Sequence, residues 1–171
     1  NSYHMHQKSV TGPDLIEYYG QLLESYNLRS IEDPFCEDDP DNFAAFTRKH
    51  NDIQVIGDDI FVTNMKLLES GISRGIANTL LFKVNQIGTL TEAFETMHLA
   101  FENRYRVVVS HRSGETEDDY IADIAVGKAT GQIKTGAPAR GERTAKYNRL
   151  LRIYDQEKEK ATYRGEELFT L

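Results

Sequence analysis

Five ionisable side chains recur at nearly even spacing along this chain: Glu32, Asp58, Lys83, His111 and Lys134 lie 26, 25, 28 and 23 residues apart. Apolar or β-branched runs precede several of them, most clearly Val55-Ile56-Gly57 before Asp58, Thr79–Phe82 before Lys83 and Arg106–Val109 before Ser110-His111. Glu32 and Asp58 offer the hard oxygens that Mg²⁺ takes in near-octahedral geometry. Acidic residues at such places serve equally as helix N-caps, and spacing alone leaves both readings standing. The run Glu37, Asp38, Asp39 and Asp41 reads as a solvated helix start. Lys83 closes an almost wholly apolar segment, where a lysine is either ion-paired with a carboxylate or functional, because an unpartnered buried ammonium is costly. A lysine acting as a base near neutral pH needs desolvation or a neighbouring cation, here Lys134 or a metal, to disfavour its charged form. His111-Arg112-Ser113 pairs a planar guanidinium fork with a hydroxyl ahead of a helical segment, a combination suited to phosphate or carboxylate. His4, His6, His50 and His98 are scattered without ligand spacing. No Gly-x-Ser-x-Gly elbow, Walker loop or dinucleotide glycine motif occurs.

The elements that must position these groups alternate. Strands are expected at 29–31, 53–57, 79–84, 106–110 and 132–134, each followed by helical patterning at 41–49, 64–70, 91–103, 116–128 and 142–159. Before them, Thr11-Gly12-Pro13-Asp14 signals a helix start, and Leu15, Ile16, Tyr19, Leu22, Leu23 and Tyr26 share one helical face. Thr116 with Asp119 resembles a capping box for the helix at 116–128. Five strand–helix units in series predict an α/β protein with a parallel sheet. Alternation by itself does not separate an open sheet from a barrel, but a reactive group at each strand end with an even βα period is the pattern of a (β/α)₈ barrel. Such a barrel takes about 250 residues and eight units. About five units are present, so the chain reads as a partial barrel over residues 11–171 behind an irregular stretch at 1–10.

Composition narrows the function. A formal net charge of −7 excludes the electrostatic footprint of a nucleic-acid binder. The single cysteine, Cys36, rules out an internal disulfide framework and fits a reducing compartment. No apolar stretch approaches the length of a membrane span.

The segments Ser30-Ile31-Glu32-Asp33-Pro34-Phe35, Gly57-Asp58-Asp59, Leu81 through Leu90, Ser110 through Asp123 and Thr130 through Pro138 occur in an order and combination that closely resembles the enolase (phosphopyruvate hydratase) family. Thr135-Gly136-Ala137-Pro138 is more similar to eukaryotic than to bacterial members. The resemblance implies the C-terminal part of an enolase-type TIM-like barrel and an Mg²⁺-dependent lyase, a cytoplasmic homodimer interconverting 2-phosphoglycerate and phosphoenolpyruvate. It assigns Glu32 and Asp58 as metal ligands, Lys83 as the base and Lys134 as the contact to the substrate carboxylate. Arg112 and Ser113 would hold the phosphate, and His111 would line the pocket. The family's third metal carboxylate, its general acid and its N-terminal domain have no counterpart here, so the 171 residues alone are expected to be inactive. The competing expectations are a non-catalytic surface-binding or structural role, and a superfamily relative acting on another carboxylate. The joint presence of Lys83, Lys134, Glu32, Asp58 and His111 argues against the first, and the Val84–Gly88 and Ser110–Ser113 blocks against the second.

Overall fold

The computed structural model describes residues 2–5 and 7–169, so His6 lies outside the described residues. A two-stranded antiparallel hairpin, β1 (Ser2–Met5) and β2 (Lys8–Thr11), comes first, with Ser2 opposite Thr11 and Met5 opposite Lys8. The expectation of an irregular stretch at 1–10 is therefore corrected. Period-two alternation turns Tyr3, Met5 and Val10 toward the core, and four-residue strands are too short for that signal to stand out in sequence. Helix α1 (Gly12–Ser25) starts on a capping box: the Thr11 hydroxyl accepts from the Asp14 N–H, and the Asp14 carboxylate accepts from the Thr11 N–H.

The strand–helix series then runs β3 (Ser30–Glu32), α2 (Pro40–Lys49), β4 (Gln54–Gly57), α3 (Met65–Arg74), β5 (Thr79–Phe82), α4 (Val84–Ile87), α5 (Leu90–Glu102), β6 (Arg106–Ser110), α6 (Tyr120–Gly127), β7 (Ile133–Lys134) and α7 (Gly141–Glu157). All five strands are parallel and pair in the order β3-β4-β5-β6-β7. A doubly wound sheet reverses its strand order partway; this one steps always to the same side, as the wall of a barrel does. The fold is an α/β part-barrel.

Two expected boundaries shift for visible reasons. The strand expected at 79–84 ends at Phe82, because Lys83 N-caps the one-turn helix α4, which closes on Gly88 at φ 102°. Helix α6 begins at Tyr120 rather than Thr116: the Thr116 hydroxyl accepts from the Asp118 N–H two residues on, a local turn that competes with helix.

The pleat sorts the strands. Val55, Leu80, Phe82, Val107 and Val109 face the helices, where Phe43, Phe46, Leu68, Met97 and Ala100 cover them. Ile56, Leu81 and Val108 form a separate cluster on the concave face. There, Gln54 of β4 and Gln132, just before β7, exchange amide hydrogen bonds of 2.6 and 3.1 Å although two strands lie between them. The C-terminal 3₁₀ turn Gly165–Phe169 sets Leu168 over this side.

Candidate active site

The carboxyl ends of the five parallel strands share one rim, and each carries a polar or charged group. Glu32 ends β3, Asp58 and Lys83 stand one residue beyond β4 and β5, His111 follows β6, and Lys134 ends β7. Barrels place reactive groups on this face.

Two lysine–carboxylate pairs organise the rim. The Lys134 ammonium donates to both oxygens of Glu32, at 2.7 and 2.5 Å, with both side chains partly open to solvent. The Lys83 ammonium donates to Asp58 Oδ2, and here the side chains are only 14% and 10% exposed. The backbone behind Lys83 is braced. Thr63, buried at φ 55°, accepts the Lys83 N–H at 2.9 Å and donates to Gln86 Oε1 at 2.8 Å, while Gln86 donates to Asp58 Oδ1 at 3.2 Å. Val62 and Thr63 are consecutive β-branched residues at positive φ, a strained conformation that persists only where surrounding contacts impose it.

Asp33 supports the acidic side. It sits at φ 41° and its carboxylate accepts the N–H groups of Asp58 and Asp59, each at 2.9 Å. Burial raises its pKa above the usual carboxylate value, making it a weaker acid, against the pull of those two hydrogen bonds. Asp33, Asp58 and Asp59 bring carboxylate oxygens within 4.8 Å of one another. Glu32, expected as a ligand beside Asp58, is not part of that group; its carboxylate is engaged by Lys134. The donor set consists of hard carboxylate oxygens from neighbouring strand ends, which fits Mg²⁺ in chemistry.

The anion-binding triplet expected at 111–113 is arranged by residues that the sequence did not single out. Arg112 donates through Nη1 to Asn85 Oδ1 at 2.8 Å, and its N–H donates to Glu115 Oε1 at 2.9 Å. Ser113 is exposed, and its carbonyl accepts from Arg143 at 3.1 Å. His111 donates its N–H to the Lys134 carbonyl at 2.9 Å, which ties β6 to β7, and its ring Nδ1 lies 2.5 Å from Arg143 Nη1. Burial first, then the charge of Arg143, depress the His111 ring below the ordinary histidine value. Lys146, wholly buried, anchors the loop by donating to Glu115 Oε2, the Thr116 carbonyl and the Glu142 carbonyl at 2.6–2.7 Å. Arg143 and Lys146 are three apart on α7, hence on one face; in sequence they are two cations in a polar helix with nothing to mark which face is inward.

All seven expected residues therefore lie on or beside one rim. Lys83 and Lys134 are close enough to depress the His111 ring by their charge. No described helix is long and apolar enough to cross a membrane.

Comparison with known proteins finds relatives over nearly the whole chain. The family model for the enolase C-terminal TIM barrel domain matches residues 1–171. The chain is 55% identical over 168 residues to the enolase of Mycobacterium leprae, covering 98% of this chain and 39% of that protein. It is 57% identical over 163 residues to the enolase of Methanocaldococcus jannaschii, covering 95% and 38%. To the enolase of Methanococcus maripaludis it is 52% identical over 166 residues, covering 97% and 39%. The chain spans about two fifths of the length of these relatives. None of the three is eukaryotic, so they lend no support to the eukaryotic leaning read from Thr135–Pro138.

Proposed function

The chain belongs to the enolase family, and from that premise we propose that it supplies the base and substrate-binding half of an Mg²⁺-dependent carbon–oxygen lyase interconverting 2-phosphoglycerate and phosphoenolpyruvate. The observation that carries the reading is the pair of lysine–carboxylate contacts on one rim, Lys83 with Asp58 and Lys134 with Glu32. A lyase removing the proton beside a carboxylate needs a base, fixed cations for the dianion that results, and a hold on the phosphate.

Lys83 is the base. It takes the proton at C2 of 2-phosphoglycerate, and the electron pair left behind moves into the carboxylate. Its low exposure and braced backbone fix its aim. In this structure its ammonium is engaged by Asp58, so to act as a base it must first give up a proton and leave that contact. Lys134 faces the substrate carboxylate and offsets the charge that gathers there. Arg112 with Ser113 holds the phosphate, and His111 lines the pocket between them and Lys134. Glu32 and Asp58 are the residues that would hold Mg²⁺, which when bound supplies concentrated positive charge to the substrate carboxylate.

Loss of the C3 hydroxyl needs a general acid, and the family's acid has no counterpart among these 171 residues. Activity therefore depends on additional chain, and by family likeness the complete protein is a cytoplasmic, homodimeric glycolytic enzyme. The test is a phosphoenolpyruvate absorbance assay on two proteins: the 171-residue chain alone, and the same residues substituted for the matching segment of the Methanocaldococcus jannaschii enolase. We expect none in the first and dehydration in the second. A folded, inactive chimera would refute the lyase reading, and an active isolated chain would refute the requirement for additional chain.

A further inference from the structure

Arg143 has no role in the chemistry described so far, yet its guanidinium spans three consecutive residues of the anion-binding loop. Nη1 lies 2.5 Å from His111 Nδ1 and donates to the Arg112 carbonyl at 2.8 Å, while Nη2 donates to the Ser113 carbonyl at 3.1 Å. We propose that Arg143 is a positioning residue that fixes His111 as the neutral imidazole carrying its proton on Nε2, so that His111 meets the substrate as a hydrogen-bond donor and not as a cation or a proton shuttle. The proposal rests on the lyase reading only for what the donor is used on.

The chemistry of guanidinium compels the tautomer. Arginine has donors and no acceptor, and it stays protonated in proteins. A ring nitrogen at 2.5 Å from it must present a lone pair, which leaves Nε2 as the protonated site of the neutral ring. A second proton on Nδ1 would point two donors at each other. Glycine at 136 allows the approach: at φ 79°, a Cβ there would lie 3.2 Å from both His111 Cε1 and Arg143 Cδ. The Tyr147 hydroxyl donates to the Gly136 carbonyl and pins that turn.

The charges around His111 agree. Arg143 faces it from α7, Lys134 from the end of β7 and Lys83 from beyond β5; Glu115 of its own loop is the opposing charge and is itself held by Lys146. Burial and the three cations keep the ring neutral below the pH at which an ordinary histidine charges.

Nitrogen-15 NMR of the chain labelled at histidine reads the tautomer directly, whether or not phosphoenolpyruvate forms. The wild-type chain should show His111 with Nδ1 unprotonated and Nε2 protonated, and a titration midpoint below that of an exposed histidine. Arg143→Met should give Nδ1–H character and move the midpoint upward, whereas Arg143→Lys, which keeps a cationic donor, should keep Nδ1 unprotonated. The wild-type spectrum decides the tautomer even if Arg143→Met fails to fold. A wild-type ring protonated on Nδ1, an ordinary midpoint, or a folded Arg143→Met variant with an unchanged His111 spectrum would overturn the proposal.

Discussion

The Lys134 ammonium at the end of the last strand of the sheet grips both carboxylate oxygens of Glu32 at the end of the first, at 2.7 and 2.5 Å. Four strand spacings would separate those ends by about 19 Å in a flat sheet, more than two side chains can bridge. The contact therefore records strong curvature, and the reciprocal Gln54–Gln132 bonds record the same bend on the concave face. That curvature gathers five separate strand ends around one rim.

Lys134 should matter far more to activity than to folding. The pair is partly exposed, with side chains 43% and 29% open, so its removal in Lys134→Ala should cost about 1 kcal/mol or less by urea denaturation. In the chimera the same change should lower kcat/KM by roughly 100-fold or more, because a charge aimed at the developing dianion is lost. A large stability loss with intact activity would assign Lys134 a structural role instead.

The Lys83–Asp58 pair behaves differently because it is mostly buried. Asp58→Ala strands the Lys83 ammonium and should destabilise the chain by about 2 kcal/mol, somewhat below the loss for a fully buried pair. Adding Lys83→Met should recover part of that loss, since the unpaired charge is gone. A double-mutant cycle in denaturant measures the coupling, and strict additivity would mean that the contact contributes nothing.

Stability should fall as the pH drops through the histidine range. Burial leads the depression of both His50 and His111, helped by Lys49 in the first case and Arg143 in the second. A base depressed in the folded state resists protonation, so below about pH 6.5 the unfolded chain binds more protons and gains stability relative to the fold. The loss begins at that ordinary histidine value and ends once the pH passes below the folded values. Urea midpoints compared across this window, in the wild type and in His50→Gln and His111→Gln, should show the slope shrinking in each variant. The carboxylates held low, such as Asp123 on Arg149 and Glu115 on Lys146, act in the same direction only at more acid pH.

Lys146→Met should loosen the loop that carries Arg112 and Glu115. It leaves the Glu115 carboxylate and two backbone carbonyls without their common donor and should cost about 3 kcal/mol. Glu115 also accepts the Arg112 N–H, so amide hydrogen exchange at Arg112 should quicken more than at the β6 amides. Uniform acceleration across the sheet would mean global destabilisation in place of a local clamp.

Much of the fold was legible because the strands carry their own signal. Val107–Val109 and Leu80–Phe82 are β-branched or apolar runs that end abruptly in polar or ionisable groups, and those groups line the rim. The even period of Glu32, Asp58, Lys83, His111 and Lys134 is a barrel pattern, and the strand order of the sheet accords with it. The supports were illegible. Thr63, Asp33, Arg143 and Lys146 act through contacts to residues 20 to 32 positions away, and no local pattern marks a threonine at positive φ or the inward face of a polar helix. The hairpin at Ser2–Thr11 was missed because Tyr3, Met5 and Val10 alternate over strands too short to weigh against a loop.

The central claim is that Lys83 removes the C2 proton. The most direct measurement is exchange of that proton of 2-phosphoglycerate with deuterated solvent, followed by NMR in the chimera and in its Lys83→Met variant with Mg²⁺ present. The account predicts exchange in the parent chimera and a loss of about 1,000-fold or more in the variant, with substrate binding retained through Arg112, Ser113 and Lys134. Exchange continuing at the parent rate in Lys83→Met would contradict it.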